Sequence, residues 1–236
     1  MGREARTALL GRLNLGPNVN ADRQRTEGVV IALVGAESTG KTTLARELAQ
    51  RLAVPGRRVA RVDEVLREFC RREGRTPHPD EQAAIAREQS RRIAEAAMTH
   101  DVVVADTTAL MIAVYSQMLF ADETLLAGAL ADQARCRLTL LTALDLPWVA
   151  DGIMRDGAHV RAPVDALLRQ ALQRAGLGYS VVAGSGAQRL ARAQRAVSAL
   201  LRPAAPANPP RWRAVCAECG DPDCERHLLA GRRRSD

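Results

Sequence analysis

An α/β fold in three layers, a central parallel sheet of about five strands with helices on both faces, follows from three features of this 236-residue sequence. Strand-like apolar runs alternate with helical patterns along most of the chain. The runs at residues 29–34 and 102–105 are continuously apolar rather than alternating, as in parallel strands covered on both faces. A glycine-containing stretch follows the first run directly and opens a helical pattern.

In chain order, residues 1–28 mix Arg, Asn, Gly and Pro without a sustained period and read as a flexible N-terminal arm. The folded domain is expected over residues 29–202. Val29-Val30-Ile31-Ala32-Leu33-Val34 is its first strand, followed by a helix at 41–52, a strand near 58–62 and helices near 64–72 and 80–98. A buried strand at 101–106 ends in a carboxylate, Asp106. Helices at 110–119 and 122–133, a strand at 137–141, and a loop around 148–161 come next. A helix at 163–175, a strand at 178–182 and a helix at 187–201 complete the alternation. Residues 203–210, Pro-Ala-Ala-Pro-Ala-Asn-Pro-Pro, form a Pro-rich linker that neither a sheet nor a helix interior accepts. Residues 211–236 remain as a small Cys/His tail.

Composition narrows the function classes. Apolar residues make up 47% and charged residues 26%, which argues against disorder and fibrous folds. The net charge of +7 is carried by 33 arginines and one lysine and favours anionic partners. Acidic residues are interspersed with the arginines, and no stretch interleaves basic with aromatic residues, so nucleic acid is not the leading partner. No apolar run reaches the roughly 18 to 20 residues of a membrane span, and the polar start lacks a signal-peptide core. A cytoplasmic protein without membrane association is expected. Five cysteines, an odd number with three close together, point to reduced thiols or a metal site rather than a disulfide framework.

The stretch Gly35-Ala36-Glu37-Ser38-Thr39-Gly40-Lys41-Thr42-Thr43 fits G-x-x-x-x-G-K-[ST] and lies between a strand and a helix, the setting a P-loop needs. Chance agreement at the four fixed positions in a chain of this size is on the order of one in a thousand. The glycines let several backbone N–H groups face one anion, and the helix N-terminus adds its positive end. Lys41 reaches the outer phosphates and Thr42 ligates magnesium. The chain uses arginine everywhere else, yet places its one lysine where a compact ammonium fits and a planar guanidinium does not. GTPases commonly read guanine through Asn-Lys-x-Asp, which no second lysine is present to form, so ATP is the expected nucleotide. Asp106 ends its strand like a Walker B acid holding the magnesium water shell; capping the next helix is the alternative.

An acceptor pocket in a parallel sheet lies at the carboxyl ends of the strands. Asp63 and Glu64 occupy such an end. Glu64, Arg67 and Glu68 share a helix face at i, i+3 and i+4, where a carboxylate and a guanidinium can bind a polyol and accept its proton; the spacing equally permits a surface salt-bridge cluster. Gln89 stands between Ile85 and Ile93 in an inward apolar stripe. Its amide needs partners, supplied either by a substrate or by backbone. Trp148, Asp151, Arg155 and Arg161 lie in a segment read either as a lid bringing arginines to the transferring phosphate or as a charged loop.

Together these motifs resemble the ribosylnicotinamide kinase domain of the bacterial NAD-biosynthesis regulator, NadR type, over residues 29–201. The resemblance rests on the phosphate loop, Glu64 with Arg67-Glu68-Phe69, Gln89, Asp106-Thr107, and most specifically Pro147-Trp148-Val149-Ala150-Asp151-Gly152. It implies magnesium- and ATP-dependent phosphorylation of the ribose 5′-hydroxyl of nicotinamide riboside or a similar nucleoside. Only 28 residues precede the first strand, so the kinase part alone is expected, without adenylyltransferase or DNA-binding domains. Thr108 stands where the family has a second acid, and the lid arginine, Arg155, falls one residue later than in the family. Lys41, Glu64, Asp106 and Arg155 are the catalytic candidates, with Glu64 ahead of Asp106 as proton acceptor.

Cys216-x2-Cys219-x4-Cys224-x2-His227 offers three thiolates and an imidazole, a set that suits tetrahedral zinc; a disordered tail with oxidisable thiols is the alternative. The competing function is a P-loop ATPase whose basic surface and zinc-binding tail engage nucleic acid or a protein partner. A nucleotide sensor with little turnover is a third class.

Overall fold

The computed structural model describes residues 27–149 and 157–202. The chain divides into two compact units, Met1–Leu200 and Leu201–Asp236. The first holds the entire sheet. Most of the expected N-terminal arm, the linker and the Cys/His tail lie outside the described residues.

Five strands form one parallel sheet in the order β2-β3-β1-β4-β5. These are β1 (Val29–Val34), β2 (Val59–Val62), β3 (Val102–Asp106), β4 (Leu138–Thr142) and β5 (Ser180–Val182). Their register places Leu33 beside Asp106 and Val34 beside Leu141, so the ends of β1, β3 and β4 converge. The chain departs from β1 to one side for β2 and β3, then returns to its other flank for β4. Such a reversal opens a crevice at the carboxyl ends of the strands.

Burial follows this order. Residues 31–34 of β1 and all of β3 are buried, as interior strands covered on both sides must be. The edge strands tolerate polarity: β2 exposes Arg61 and β5 is only three residues long. On one face, Val30 and Val103 pack with Ala97 of α3 (Gln82–Thr99). Alternation sends Ile31, Leu33, Val104 and Asp106 the other way. That face is met by α1 (Lys41–Leu52), which buries Leu44, Ala45 and Leu48 and packs across β1, β2 and β3.

The helix α2 (Val65–Glu73) packs on α3. The helix α4 (Ala109–Phe120) is apolar nearly all round, with Ala109 to Val114 buried without interruption. It is accordingly a central helix, packed between α3, α5 (Leu126–Gln133) and α6 (Arg161–Arg174). The last helix, α7 (Gly186–Leu201), follows β5.

The expected elements are present, with shifted ends. The helix expected from residue 80 opens as a 3-10 turn, Pro79–Glu81, because the Glu81 carboxylate accepts the His78 N–H at 2.7 Å and Pro79 has no N–H to give. The helix expected from residue 122 starts at Leu126, because Asp122 Oδ1 accepts the Thr124 N–H at 2.9 Å in a turn of its own. Arg161 opens α6 instead of ending a loop. Among the described residues, no helix is long and apolar enough to cross a membrane.

Candidate active site

The phosphate loop joins β1 to α1 and is braced from beneath. Thr39 Oγ1 donates to Ala36 O at 2.7 Å and lies 2.7 Å from Thr142 Oγ1, which in turn reaches Val34 O at 3.2 Å. Thr39 is therefore a buried strut; what it offers a phosphate is its backbone N–H. Gly35 has φ 143°, and a Cβ there would run into Thr142 Oγ1, so the packing against β4 requires glycine. Gly40, at φ 76°, is the N-cap of α1 and supplies no capping side chain. The first N–H groups of α1 are thus left for an anion. Ser38 also has positive φ, 51°, and its hydroxyl donates to Val149 O at 2.8 Å.

Lys41 Nζ donates to Gly35 O and Ala36 O, each at 2.7 Å. Burial lowers its pKa from the ordinary lysine value, opposed by the negative charges of Glu64 and Asp106. Asp106 is 1% exposed, and burial raises its pKa from the usual carboxylate value, opposed by a hydrogen bond with the Thr42 side chain. Its Oδ1 has no hydrogen-bond partner. A buried carboxylate oxygen left unsatisfied next to the P-loop threonine is the donor set that a magnesium ion with its water shell takes up. Thr107, immediately after it, has φ 74°, a strained conformation for a β-branched residue costing about 1–3 kcal/mol. Its N–H is held by Leu33 O at 3.1 Å.

From the loop a cleft of about 700 Å³ extends between α2, α4 and the residue 75–82 segment. Its walls include Glu37, Ser38, Thr39, Gly40, Lys41, Thr42 and Thr43 at the phosphate end, and Glu64 and Arg67 beyond them. Arg67 Nε donates to Glu64 Oε2 at 3.1 Å. The Glu64 and Arg67 side chains are only 11% and 23% exposed, so this pair is not a surface salt bridge.

The other acceptor-site candidates separate from it. Glu68 is turned about 100° from Arg67 on α2 and pairs with Arg92 at 2.7 Å, in a network with Glu88, Arg91 and Glu95. Asp63 is exposed and pairs with Arg61 at 2.8 Å. Neither lines the cleft. Gln89 is fully buried, and its amide is used by backbone: Oε1 accepts from Val65 N at 2.8 Å and Nε2 donates to Asp63 O at 3.3 Å. It pins the turn that carries Glu64. Gln89→Leu is expected to leave the buried Val65 N–H unpaired and to cost about 1–3 kcal/mol, measurable as a lower denaturation midpoint.

Arg161 is likewise committed to structure. Its guanidinium donates to Leu144 O at 3.3 Å and Leu146 O at 2.9 Å, capping the loop after β4 from within the protein. Arg189 caps the same loop at Ala143 O and Asp145. Trp148 is partly buried with no partner for its indole N–H, and it too lies outside the cleft walls. Thr108 is buried in a polar chain through Gln133 to Thr139, at 2.7 Å and 2.8 Å. Asp151 and Arg155, like Cys216, Cys219, Cys224 and His227, lie outside the described residues. Among the described residues, no three His, Cys, Asp or Glu side chains gather as a metal cluster, and Cys70 and Cys136 are free thiols.

Several cleft residues carried no motif in the sequence. Met111, Tyr115 and Leu119 recur every four residues on α4, and Leu66 and Cys70 do so on α2. Such stripes read as core, and only the packing shows that they border open space. Arg75, His78 and Gln82 line its rim.

A braced glycine loop, a lysine, a buried strand-end aspartate and a parallel sheet define a P-loop NTPase domain. The profile of an AAA domain family, AAA_28, matches residues 30–189, and the chain belongs to that family. Among solved structures, it is similar to NadR protein in complex with NAD and AMP-PNP (TM-score 0.58, 20% identity, covering 73% of this chain and 49% of that one). It is also similar to NadR protein in complex with NR (TM-score 0.60, 21% identity, 73% and 50%). The chain spans about half the length of those NadR chains. At these identities the likeness is one of fold. No curated protein sequence matches the chain.

Proposed function

We propose that this domain is an ATP-dependent small-molecule kinase that phosphorylates the ribose 5′-hydroxyl of nicotinamide riboside or a similar nucleoside. The observation that carries the reading is that Glu64 and Arg67 line the same cleft as Lys41 and Thr42. A phosphate site and a proton acceptor thus share one enclosure of about 700 Å³, a volume suited to a small organic ligand. The NadR structure holding NR has the same fold, which agrees with this reading.

In the proposed reaction, the phosphate loop and the open N-terminus of α1 hold the nucleotide phosphates, and Lys41 leaves its two carbonyl partners for the outer phosphates. Thr42 and Asp106 would hold magnesium, which supplies neutralisation of phosphate charge when bound. Glu64 orients the acceptor hydroxyl and receives its proton as the 5′-oxygen bonds to the γ-phosphorus and the bond to ADP breaks. Arg67 fixes the Glu64 carboxylate.

With saturating riboside, Glu64→Gln is expected to lower kcat by roughly 10²- to 10⁴-fold while ATP affinity holds. Full turnover in that variant would remove Glu64 as the base. At the level of the reaction, riboside-dependent ADP release supports the kinase. Hydrolysis that nucleic acid stimulates without any acceptor would oppose it.

A further inference from the structure

Gln82, the first residue of α3, is 3% exposed, and its Oε1 has no hydrogen-bond partner. It lines the same cleft as Lys41 and Glu64. A buried amide acceptor left unpaired loses its hydration with nothing in return. An orphan of this kind in a cleft wall marks a place where a ligand's donor belongs.

Its position along α3 gives the scale. Gln89, seven residues further on, binds the backbone of the turn that carries Glu64. At the helical rise, Gln82 stands about 10 Å further out along the same axis. That matches the reach of a nucleoside from its 5′-oxygen to the far edge of its base. The cleft also carries the apolar stripe of Met111, Tyr115 and Leu119, a surface suited to a flat ring.

The rim offers little to an anion. The Arg75 guanidinium is taken up by Glu81 through two hydrogen bonds of 2.7 Å and 2.8 Å, and the same carboxylate accepts the His78 N–H. His78 is the remaining titratable group on that rim.

Resting on the riboside kinase reading, we propose that Gln82 selects the acceptor's base by pairing its side-chain amide with a primary carboxamide on an aromatic ring. Oε1 accepts an N–H of the ligand carboxamide, and Nε2 donates to its carbonyl. A carboxylate in the same place has no donor, so Oε1 stays unpaired and faces negative charge.

The test is a matched pair, nicotinamide riboside and nicotinic acid riboside, measured by titration calorimetry and by ADP release with wild type, Gln82→Leu and Gln82→Glu. Wild type is expected to bind the amide at least about tenfold more tightly than the acid. Gln82→Leu is expected to lose roughly 10- to 100-fold in amide affinity and most of the preference, with ATP affinity unchanged. Gln82→Glu keeps an acceptor and adds charge, so it is expected to weaken the acid further. Amide preference retained in Gln82→Leu overturns the assignment. Should that variant fail to fold, an unchanged amide-to-acid ratio in Gln82→Glu overturns it instead. Equal binding of the two ribosides by wild type, with riboside-dependent ADP release intact, removes Gln82 and leaves the kinase standing. Binding of neither, with ATP still bound, removes the riboside reading and Gln82 with it.

Discussion

Lys41→Ala is expected to reduce ATP turnover by roughly 10³-fold or more while leaving the fold in place. The chain has no second lysine, and the Lys41 Nζ is held at the entrance of α1. Its two bonds go to the carbonyls of Gly35 and Ala36, whereas the loop is held in place by Thr39 and Thr142, which bond to Ala36 O and Val34 O without it. Removing it therefore leaves the brace intact. Lys41→Arg is not expected to rescue, because a planar guanidinium needs more room than the loop provides. Steady-state ADP release alongside a thermal melt separates lost activity from lost fold. Activity within tenfold of wild type in Lys41→Ala would contradict the placement of the phosphates.

Asp106→Asn is expected to act in opposite directions on activity and stability. Turnover falls by roughly 10²- to 10³-fold, because the carboxylate that fits the magnesium water shell is gone. The nucleotide-free protein gains about 1 kcal/mol or more at neutral pH, because a buried charge with an unsatisfied Oδ1 is replaced by a neutral amide. The sign follows from burial, which holds the Asp106 pKa above its ordinary value in the folded state. A carboxyl raised in this way favours folding most below the ordinary carboxylate range, and that contribution is lost as pH rises through the folded-state value. The advantage of the asparagine variant is accordingly largest at neutral pH and shrinks as pH falls, reaching its minimum below the ordinary aspartate value of about 3.9, where Asp106 is protonated in both states. Melts of the two proteins across this range measure it. A constant difference at all pH values would mean that the carboxyl charge is not its origin.

The phosphate end was legible because its chemistry is local. Nine consecutive residues between a strand and a helix carry the glycines, the lysine and the threonine, and both flanking elements form over the expected residues. The proposed acceptor end was legible only in part. Glu64 and Arg67 were readable from helical spacing, but the same spacing included Glu68, which Arg92 of α3 draws away. Gln89 was readable as a buried amide, yet its backbone partners depend on where α3 crosses the turn after β2. Arg161 looked like a loop cation facing phosphate and is instead spent on the carbonyls of residues 144 and 146. Gln82 drew no attention, because one glutamine at the start of a helix has no pattern.

By itself the sequence determined the parallel α/β class, the strand and helix positions to within a few residues, and the phosphate loop around Lys41. Each of these depends on neighbours along the chain: apolar runs, helical periods and contiguous glycines. Tertiary structure alone decided the β2-β3-β1-β4-β5 order, the burial that leaves Asp106 Oδ1 unpaired, and which side chains of α2, α3 and α4 face the cleft. Those features depend on which helices meet across the sheet. Periodicity places a residue on a helix face, but only packing decides whether that face meets another helix, solvent or a ligand.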